Sequence, residues 1–358
     1  MPPRGARSLV TALIAHGREA GTPGAEAART AVARFLSELG YTVQEQPFRF
    51  NAGVYRALPV AGALLVIVSL LEIALLMRPG PAWAAAAALL MFAVVVPLVT
   101  MRILSGEGTP GTQRVDANLI ARRGDAAVRC WLVAHLDTKA QGHSMAGRLA
   151  ALWITVLALA GLIICAWARL GSPQQPVVAV TAGLLGVFAG VLLAGGRLTG
   201  QSPGARDNGS GLLAVLTAAE LATDPGIGII ITGAEEFGLA GARALVRERG
   251  ALLREAVVLN VDTIDDEGML FVVTHGTADA LAARVRMRLA GLAPIRGRRL
   301  PLGILVDGVP LARAASGGVT IGRLSWGTLR RIHTPRDDAA GYAMATAELV
   351  GERLVPPI

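Results

Sequence analysis

The chain has 358 residues, of which 53% are hydrophobic and only 17% are charged. A typical soluble domain is about 25% charged, so this composition excludes a disordered chain and argues against a purely soluble protein. Two cysteines are too few for an extracellular disulfide framework. The net charge of +8 rests on arginine, with Lys139 as the single lysine, and no arginine run is interleaved with aromatic residues. We therefore expect no nucleic-acid partner.

Four apolar segments hold most of the hydrophobic excess. Each is about 18 to 21 residues long, enough for a helix to cross a hydrocarbon core of roughly 30 Å. We predict four transmembrane helices, over residues 57–77, 82–99, 149–168 and 177–196. Pro- and Gly-containing turns at 77–82 and 169–176 join them into two hairpins. The pattern thus predicts an integral membrane protein in contact with the lipid bilayer.

The hairpins define the predicted domain organisation. Because a hairpin returns the chain to its starting side, residues 1–56, 104–148 and 198–358 should share one face of the membrane. Together they are long enough for one globular domain with its own core. The first hairpin is then residues 57–103 and the second is residues 149–197.

Apolar strands alternate with helices in the three pieces outside the hairpins. Strand-like runs occupy 116–121, 128–134, 227–232 and 256–261, and helical spacing occupies 24–39 and 212–221. Continuous apolar strands between helices indicate a sheet covered on both faces. The predicted fold class is therefore α/β, with a mixed, mostly parallel central sheet covered by helices, plus the four transmembrane helices.

Polar side chains follow the predicted strands or lie in the turns between elements. In open α/β sheets ligands bind outside the carboxyl ends of the strands. Singly, such residues are ordinary turn residues, helix caps or solvated helix starts. Together, imidazoles and carboxylates suit Zn²⁺ or a similar divalent ion, and a shared carboxylate can hold two ions about 3.5–4 Å apart. The residues concerned are His135, Asp137, Asp207, Glu235, Glu236, Asp262 and His333.

In these motifs the sequence resembles the M28 family of zinc aminopeptidases. The matching stretches occur in the family's order: Ala134-His135-Leu136-Asp137, the Asp207-Asn208 pair within 204–211, Glu235-Glu236 followed by Gly238 and Gly241, Asn260-Val261-Asp262, and Ile332-His333-Thr334. The N-terminal stretch 18–24 also resembles the family's entry to its first helix. The resemblance covers the three soluble pieces and none of the apolar segments.

The resemblance implies a site with two divalent ions, Zn²⁺ being favoured. One ion would be held by His135, Asp207 and Asp262, and the other by Asp207, Glu236 and His333. Glu235 would be the general base toward a water that the ions activate, and Asp137 would orient His135. The Asp207–Asn208 peptide bond would be cis. The implied activity is that of a membrane-embedded, metal-dependent exopeptidase, an aminopeptidase that hydrolyses peptides with a free N-terminus.

Two departures from the family pattern leave alternatives open. A segment of 71 residues separates His135 from Asp207, where the family usually has a short loop, and Ile332 stands where many members have an aromatic residue. The group that stabilises the oxyanion is therefore unassigned.

Two alternative functions stay open. They are a glutaminyl-cyclase-like acyltransferase with one zinc ion and a non-catalytic scaffold or receptor of the same fold.

The predicted orientation places the catalytic domain in the cytoplasm, with the chain in a bacterial inner membrane. The first 56 residues lack the charged start and apolar core of a signal peptide. Arginines flank the spans mainly on the domain side, in the positive-inside sense. Those on the domain side are Arg56, Arg102, Arg148 and Arg197, against Arg78 and Arg169 in the turns.

Other polar residues are predicted to have structural roles. His16, His143 and His275 lack partners at ligand spacing and are expected on the surface or in loops. Glu72 is the only acid within a predicted span, where a polar group is by default a candidate functional residue. Since it lies near the end of its helix, we expect it to reach the interface or to contact a neighbouring helix.

Overall fold

The structure is a computed structural model that describes residues 5–77, 89–92, 94, 112–171, 176–296 and 303–355. The chain divides into two compact units. The α/β unit comprises Met1–Phe50, Arg114–Ala140 and Gly200–Ile358, and the apolar unit comprises Asn51–Gln113 and Gln141–Thr199. The boundaries predicted from the sequence, at 56, 104, 148 and 198, fall near these divisions but not on them.

One eight-stranded sheet forms the centre of the α/β unit, with the strand order β1-β2-β6-β3-β7-β10-β8-β9. Its four central strands, β6, β3, β7 and β10, are all parallel, whereas β2 and β8 run antiparallel on either side of them. The predicted mixed, mostly parallel sheet is confirmed. The strands are β1 (Thr42–Asn51), β2 (Gln113–Arg122), β3 (Cys130–His135), β6 (Ile227–Thr232), β7 (Val257–Ile264), β8 (Met269–His275), β9 (Ile295–Arg296) and β10 (Gly317–Leu324); β4 (Ala140–Gln141) and β5 (Leu198–Gly200) form a separate pair.

Helices cover the large sheet, and local sequence explains where they begin. The helix Pro23–Glu38 starts at the N-cap Thr22, whose hydroxyl accepts from the Ala25 N–H, and has proline in its first turn. Its predicted apolar stripe, including Val32 and Phe35, is buried. The other helices of this unit are Ala6–Leu13, Gly211–Leu221, Ala240–Arg249, Asp279–Leu289, Gly308–Ala314, Trp326–Leu329 and Ala345–Leu354.

The core lies on both faces of the sheet, as the continuous apolar strands predict. Successive residues of β3 enter different clusters: Leu132 packs with the buried Gly211–Leu221 helix, and Trp131 and Val133 pack on the other face. This alternation follows from the two-residue repeat of a strand. A sheet buried on both faces leaves only its strand ends for polar chemistry.

Among the described residues of the apolar unit, three helices are long and apolar enough to cross a membrane: Ala57–Met77, Met145–Ala168 and Pro176–Ala194. They correspond to the first, third and fourth predicted spans. The Met145 helix continues to Gly171. The second predicted span, 82–99, lies outside the described residues except for positions 89–92 and 94, which are helical.

Small residues bring the first and last of these helices into close contact. A Cβ atom on Gly62 would lie 2.3 Å from the carbonyl oxygen of Gly190, so neither position tolerates a side chain. Glu72 shares the packed face of its helix with Gly62 and is fully buried, so it lies in a contact between helices, one of the two positions expected for it. In contrast, Ile67 and Trp167 point outward, as expected of side chains that face lipid.

The prediction for His275 is wrong. His275 ends β8 and is buried, with its Nε2 atom 2.8 Å from the hydroxyl of Thr320 on β10. The sequence offered no partner at ligand spacing because the partner comes from a neighbouring strand 45 residues away. Burial lowers the pKa of His275 to about 4.

Candidate metal centre

Strand register brings the predicted site residues to one edge of the sheet. In the pairing of β3 with β6, His135 lies beside Thr232, three residues before Glu235. In the pairing of β3 with β7, Val133 lies beside Asn260. His135 and Asp262 each come two residues later on these two strands. Because these strands are parallel, their carboxyl ends meet at this edge. The motifs are distant in sequence but adjacent in the fold.

The turn that carries Asp207 is held from two sides. The Asp337 carboxylate accepts the Arg206 and Asp207 N–H groups, both at 3.0 Å. The side chain of Asn208 donates to the Val261 carbonyl and accepts from the Thr263 N–H, so the turn is tied to β7 on both sides of Asp262. The Asp207–Asn208 peptide bond is cis, as the family resemblance implied.

Asp207 lies between the two histidines, with one carboxylate oxygen toward each. Its Oδ1 atom is 3.2 Å from His135 Nε2 and its Oδ2 atom is 3.1 Å from His333 Nε2. Asp262 Oδ1 is 3.8 Å from His135 Nε2, and Glu236 Oε1 is 3.4 Å from His333 Nε2. The structure thus forms two groups of three donors that share Asp207, with the ligand atoms of each group within 4.8 Å of one another.

Asp137 supports the site through its backbone and its carboxylate separately. The carbonyl oxygen of Asp137 is 3.1 Å from His135 Nδ1, while its carboxylate is 3.7 Å from that atom, beyond hydrogen-bond distance. The carboxylate instead accepts the N–H groups of Glu235, at 2.9 Å, and Glu236, at 3.1 Å. A hydrogen bond from Nδ1–H to the carbonyl leaves the Nε2 lone pair facing the carboxylates, the tautomer that binds a metal.

The two histidines have opposite pKa shifts. Burial acts to lower the pKa of His135, but Glu235 and the surrounding aspartates outweigh it and raise the pKa well above its usual value. Burial lowers the pKa of His333, and the Lys139 ammonium lowers it further. A histidine that ligates a metal is neutral, so the surroundings of His333 favour its ligating form, whereas those of His135 favour protonation in competition with a metal.

Glu235 differs from its neighbour Glu236 in belonging to neither group of donors. Burial raises its pKa well above the usual value for a carboxyl, and Glu236, Asp307 and Asp262 raise it further against the opposing effect of His135. A buried carboxyl with a raised pKa beside a reaction centre is suited to proton transfer.

The donor set fits divalent metal ions. Asp207, Glu235 and Glu236 are all buried, and a buried carboxylate is costly unless a cation compensates it. Two imidazoles and the carboxylates offer the mixed nitrogen and oxygen ligation that Zn²⁺ accepts. The residues of this edge therefore match a divalent metal centre in type and arrangement.

Three functional candidates were missed by the sequence analysis. The ammonium of Lys139 donates to Glu236 Oε2, and its being the only lysine was the one available signal. Asp307 is buried and accepts from the Thr232 hydroxyl, and burial raises its pKa to about 7 against the effect of that hydrogen bond. Arg18 is buried and donates to the backbone of both ligand loops, a role that no local pattern reveals.

Comparisons with known proteins place the C-terminal part of the chain close to one peptidase family. Residues 190–355 match the model of Peptidase family M28. The match covers just under half of this chain, the part that carries the motifs from Asp207 to His333, and it is to the family that the sequence motifs resemble. A Mycobacterium tuberculosis protein described as "Probable lipoprotein aminopeptidase LpqL" is 41% identical to this chain over 88 residues, which cover 22% of this chain and 18% of that protein. The match therefore spans under a fifth of that relative's length.

Solved structures share the fold of this chain over nearly its whole length. The glutaminyl cyclase of Porphyromonas gingivalis superposes with a TM-score of 0.57 and 17% identity, covering 98% of this chain and 95% of that one. A Zn-dependent exopeptidase from Parabacteroides distasonis gives a TM-score of 0.57 and 14% identity with the same coverage. These likenesses establish the fold alone, and the match to the family model adds support for a metal-dependent, exopeptidase-like hydrolase.

Proposed function

We propose that this protein is a membrane-embedded aminopeptidase of the M28 family that uses two zinc ions to hydrolyse peptides with a free N-terminus. The α/β unit is the catalytic domain, and the apolar unit anchors it in the bilayer. The family match supports the hydrolase class, and the LpqL similarity supports the aminopeptidase class.

The observation that carries the proposal is the position of Asp207 between the two histidines. Each of its carboxylate oxygens lies within 3.2 Å of an imidazole Nε2 atom, one from His135 and one from His333. A carboxylate with a purely structural role would need only one charged partner. An aspartate with one oxygen aimed at each of two separate donor groups has the arrangement of a bridging ligand.

The residues of the site divide the chemistry among them. When bound, the two ions would polarise the scissile carbonyl and lower the pKa of a water molecule, which is their usual contribution to peptide hydrolysis. Glu235 takes the proton from the attacking water and delivers it to the leaving amine. Asp137 fixes the backbone of Glu235 and Glu236 and so sets the distance between the base and the donors.

We further propose that the catalytic domain faces the cytoplasm of a bacterial cell, on the inner membrane. The excess of arginine on the domain side of the apolar segments supports this orientation. Reporter fusions to the C-terminus test it: a reporter active only outside the cytoplasm would reverse the orientation.

Replacing the adjacent glutamates one at a time tests the function. Glu235→Gln preserves the shape of the base but removes its proton acceptor, so peptide hydrolysis should slow by roughly 10²–10⁴-fold while bound zinc stays at the level of the parent. Glu236→Gln removes an anionic ligand, so bound zinc and activity should fall together. Each variant is purified as the full chain in detergent, and hydrolysis and zinc content are measured on the same sample.

The outcomes separate the alternatives. Loss of zinc from the Glu235 variant with full retention in the Glu236 variant would exchange the two roles. Conversion of an N-terminal glutaminyl peptide, without cleavage of unblocked peptides, would favour the glutaminyl-cyclase chemistry of the P. gingivalis structure. A parent protein that binds zinc but acts on neither substrate would have the properties of a scaffold.

A further inference from the structure

We propose that Lys139 makes the two metal subsites unequal by weakening the binding of one ion. We define the first subsite as His135, Asp207 and Asp262 and the second subsite as Asp207, Glu236 and His333. The inference rests on the proposed function, because it concerns the ions which that function requires. It assigns a role to Lys139, which contacts Glu236 but is not itself one of the proposed metal ligands.

Lys139 occupies one oxygen of a second-subsite ligand. Its side chain is buried, and its ammonium donates to Glu236 Oε2. The other oxygen, Oε1, is the one that lies 3.4 Å from His333 Nε2. The lysine therefore directs Glu236 to offer a single oxygen toward the second subsite. A bidentate carboxylate at that position would require this contact to break.

The lysine also changes the charge balance between the subsites. Each subsite has two carboxylates and one imidazole, so without Lys139 the two would carry equal ligand charge. At the first subsite, Asp262 Oδ1 accepts from the neutral hydroxyl of Thr263. At the second, Glu236 accepts from a cation. A fixed positive charge a few ångströms from a divalent ion, in a buried site of low dielectric, opposes binding of that ion.

The choice of lysine over arginine supports a role specific to this position. The chain has 34 basic residues, and every one except Lys139 is arginine. A guanidinium is broad and planar and would pair with both carboxylate oxygens, whereas an ammonium is a compact point charge that can hold just one of them. Lysine is the basic residue that leaves Oε1 of Glu236 available to an ion.

Zinc binding by the full-length protein in detergent tests the inference without any measurement of turnover. Metal-free samples are equilibrated with zinc buffers over a wide range of free Zn²⁺, and bound zinc per chain is measured by elemental analysis. Repulsion between neighbouring ions makes the second ion bind more weakly than the first in any two-ion site. The test is therefore how far each binding step shifts when Lys139 is replaced. Lys139→Met should shift the weaker step to at least about tenfold lower free zinc, or about 1.4 kcal/mol, and leave the tighter step in place.

Two further variants complete the design. Arg129→Met removes one positive charge from an exposed pair with Asp224 and should shift neither step, which controls for net charge. Asp262→Asn should weaken the tighter step, because that step belongs to the first subsite. Should Lys139→Met fail to fold, as judged by its thermal unfolding, Lys139→Gln replaces it with the same expectation.

An unchanged or weakened second step in the Lys139 variant would overturn the inference, as would loss of the weaker step alone in Asp262→Asn. The proposed function fails separately. A protein that binds two zinc ions with the expected shift but cleaves no peptide refutes the aminopeptidase assignment and leaves the role of Lys139 intact. An active peptidase whose zinc binding does not respond to Lys139→Met refutes only the inference.

Discussion

Arg18 offers a quantitative test of how the site is supported. Its guanidinium is buried and donates to four backbone carbonyls, those of Leu13, Leu136, Pro203 and Gly204, at 2.7 to 3.2 Å. Leu136 lies between the site residues His135 and Asp137, and Gly204 begins the turn that carries Asp207. One side chain therefore holds two of the three segments that form the first subsite, those of His135 and Asp207.

The expected cost of Arg18→Lys follows from these contacts. Each hydrogen bond from a charged donor stabilises a fold by about 1.5–3 kcal/mol, and a lysine ammonium at this position can keep at most two of the four. The free energy of unfolding should therefore fall by about 3–6 kcal/mol, a large part of the roughly 5–15 kcal/mol of a typical domain. Because the loops that carry His135 and Asp207 lose hydrogen bonds from Arg18, zinc affinity should also fall by about 10–100-fold.

Thermal unfolding and zinc content of the purified variant measure both effects. Arg114→Lys is the matched control, since Arg114 is partly exposed, pairs with Glu19 and contacts no ligand loop. The control should stay within about 0.5 kcal/mol of the parent. If Arg18→Lys loses less than about 1 kcal/mol and binds zinc as the parent does, the four carbonyl contacts do not hold the site.

Two further predictions concern the helix packing and a buried histidine. Gly190→Val should destabilise the apolar unit by about 1–3 kcal/mol in a melting experiment in detergent, because a Cβ atom there lies 2.6 Å from the Gly62 carbonyl oxygen; Val191→Ile, at an exposed position, should not. His275 has its pKa lowered to about 4, so the unfolded state binds more protons between about pH 4 and 6.5 and stability falls as pH falls through that window. His275→Gln should reduce this pH dependence of the melting temperature, and an unaltered slope would show that His275 titrates normally.

The sequence could predict the features that depend on local patterns. The strands β3, β6 and β7 are continuous apolar runs, and each leads into a short polar motif that carries His135, Glu235 or Asp262. The alternation of these strands with helices predicts that they are parallel. Parallel strands place the three motifs at the same edge of the sheet, so this could be predicted before the strand order was known. The three described apolar helices were predictable because length and hydropathy alone define them.

The remaining features depend on contacts between distant segments. Asp307 precedes a short helix and looks like an ordinary helix start, and it reaches Thr232 only because β6 and β10 lie in the same sheet. Arg18 bonds to carbonyl groups, which every residue carries, so no pattern of side chains marks its partners. Asp137 was expected to orient His135; that its carboxylate also accepts the backbone N–H groups of Glu235 and Glu236 depends on a turn about 98 residues away, which no local pattern reveals.

The pairing of β4 with β5 has a consequence for the long segment between His135 and Asp207. The chain leaves at residues 140–141 and returns at 198–200 as neighbouring strands, and the Gly142 N–H donates to the Arg197 carbonyl at 3.1 Å. These contacts hold the two ends of the segment side by side. For the sheet that carries the site, the residues between β4 and β5 therefore act as a short connection, whatever their number. Evolution could therefore lengthen, shorten or exchange the apolar helices there while the donors keep their spacing.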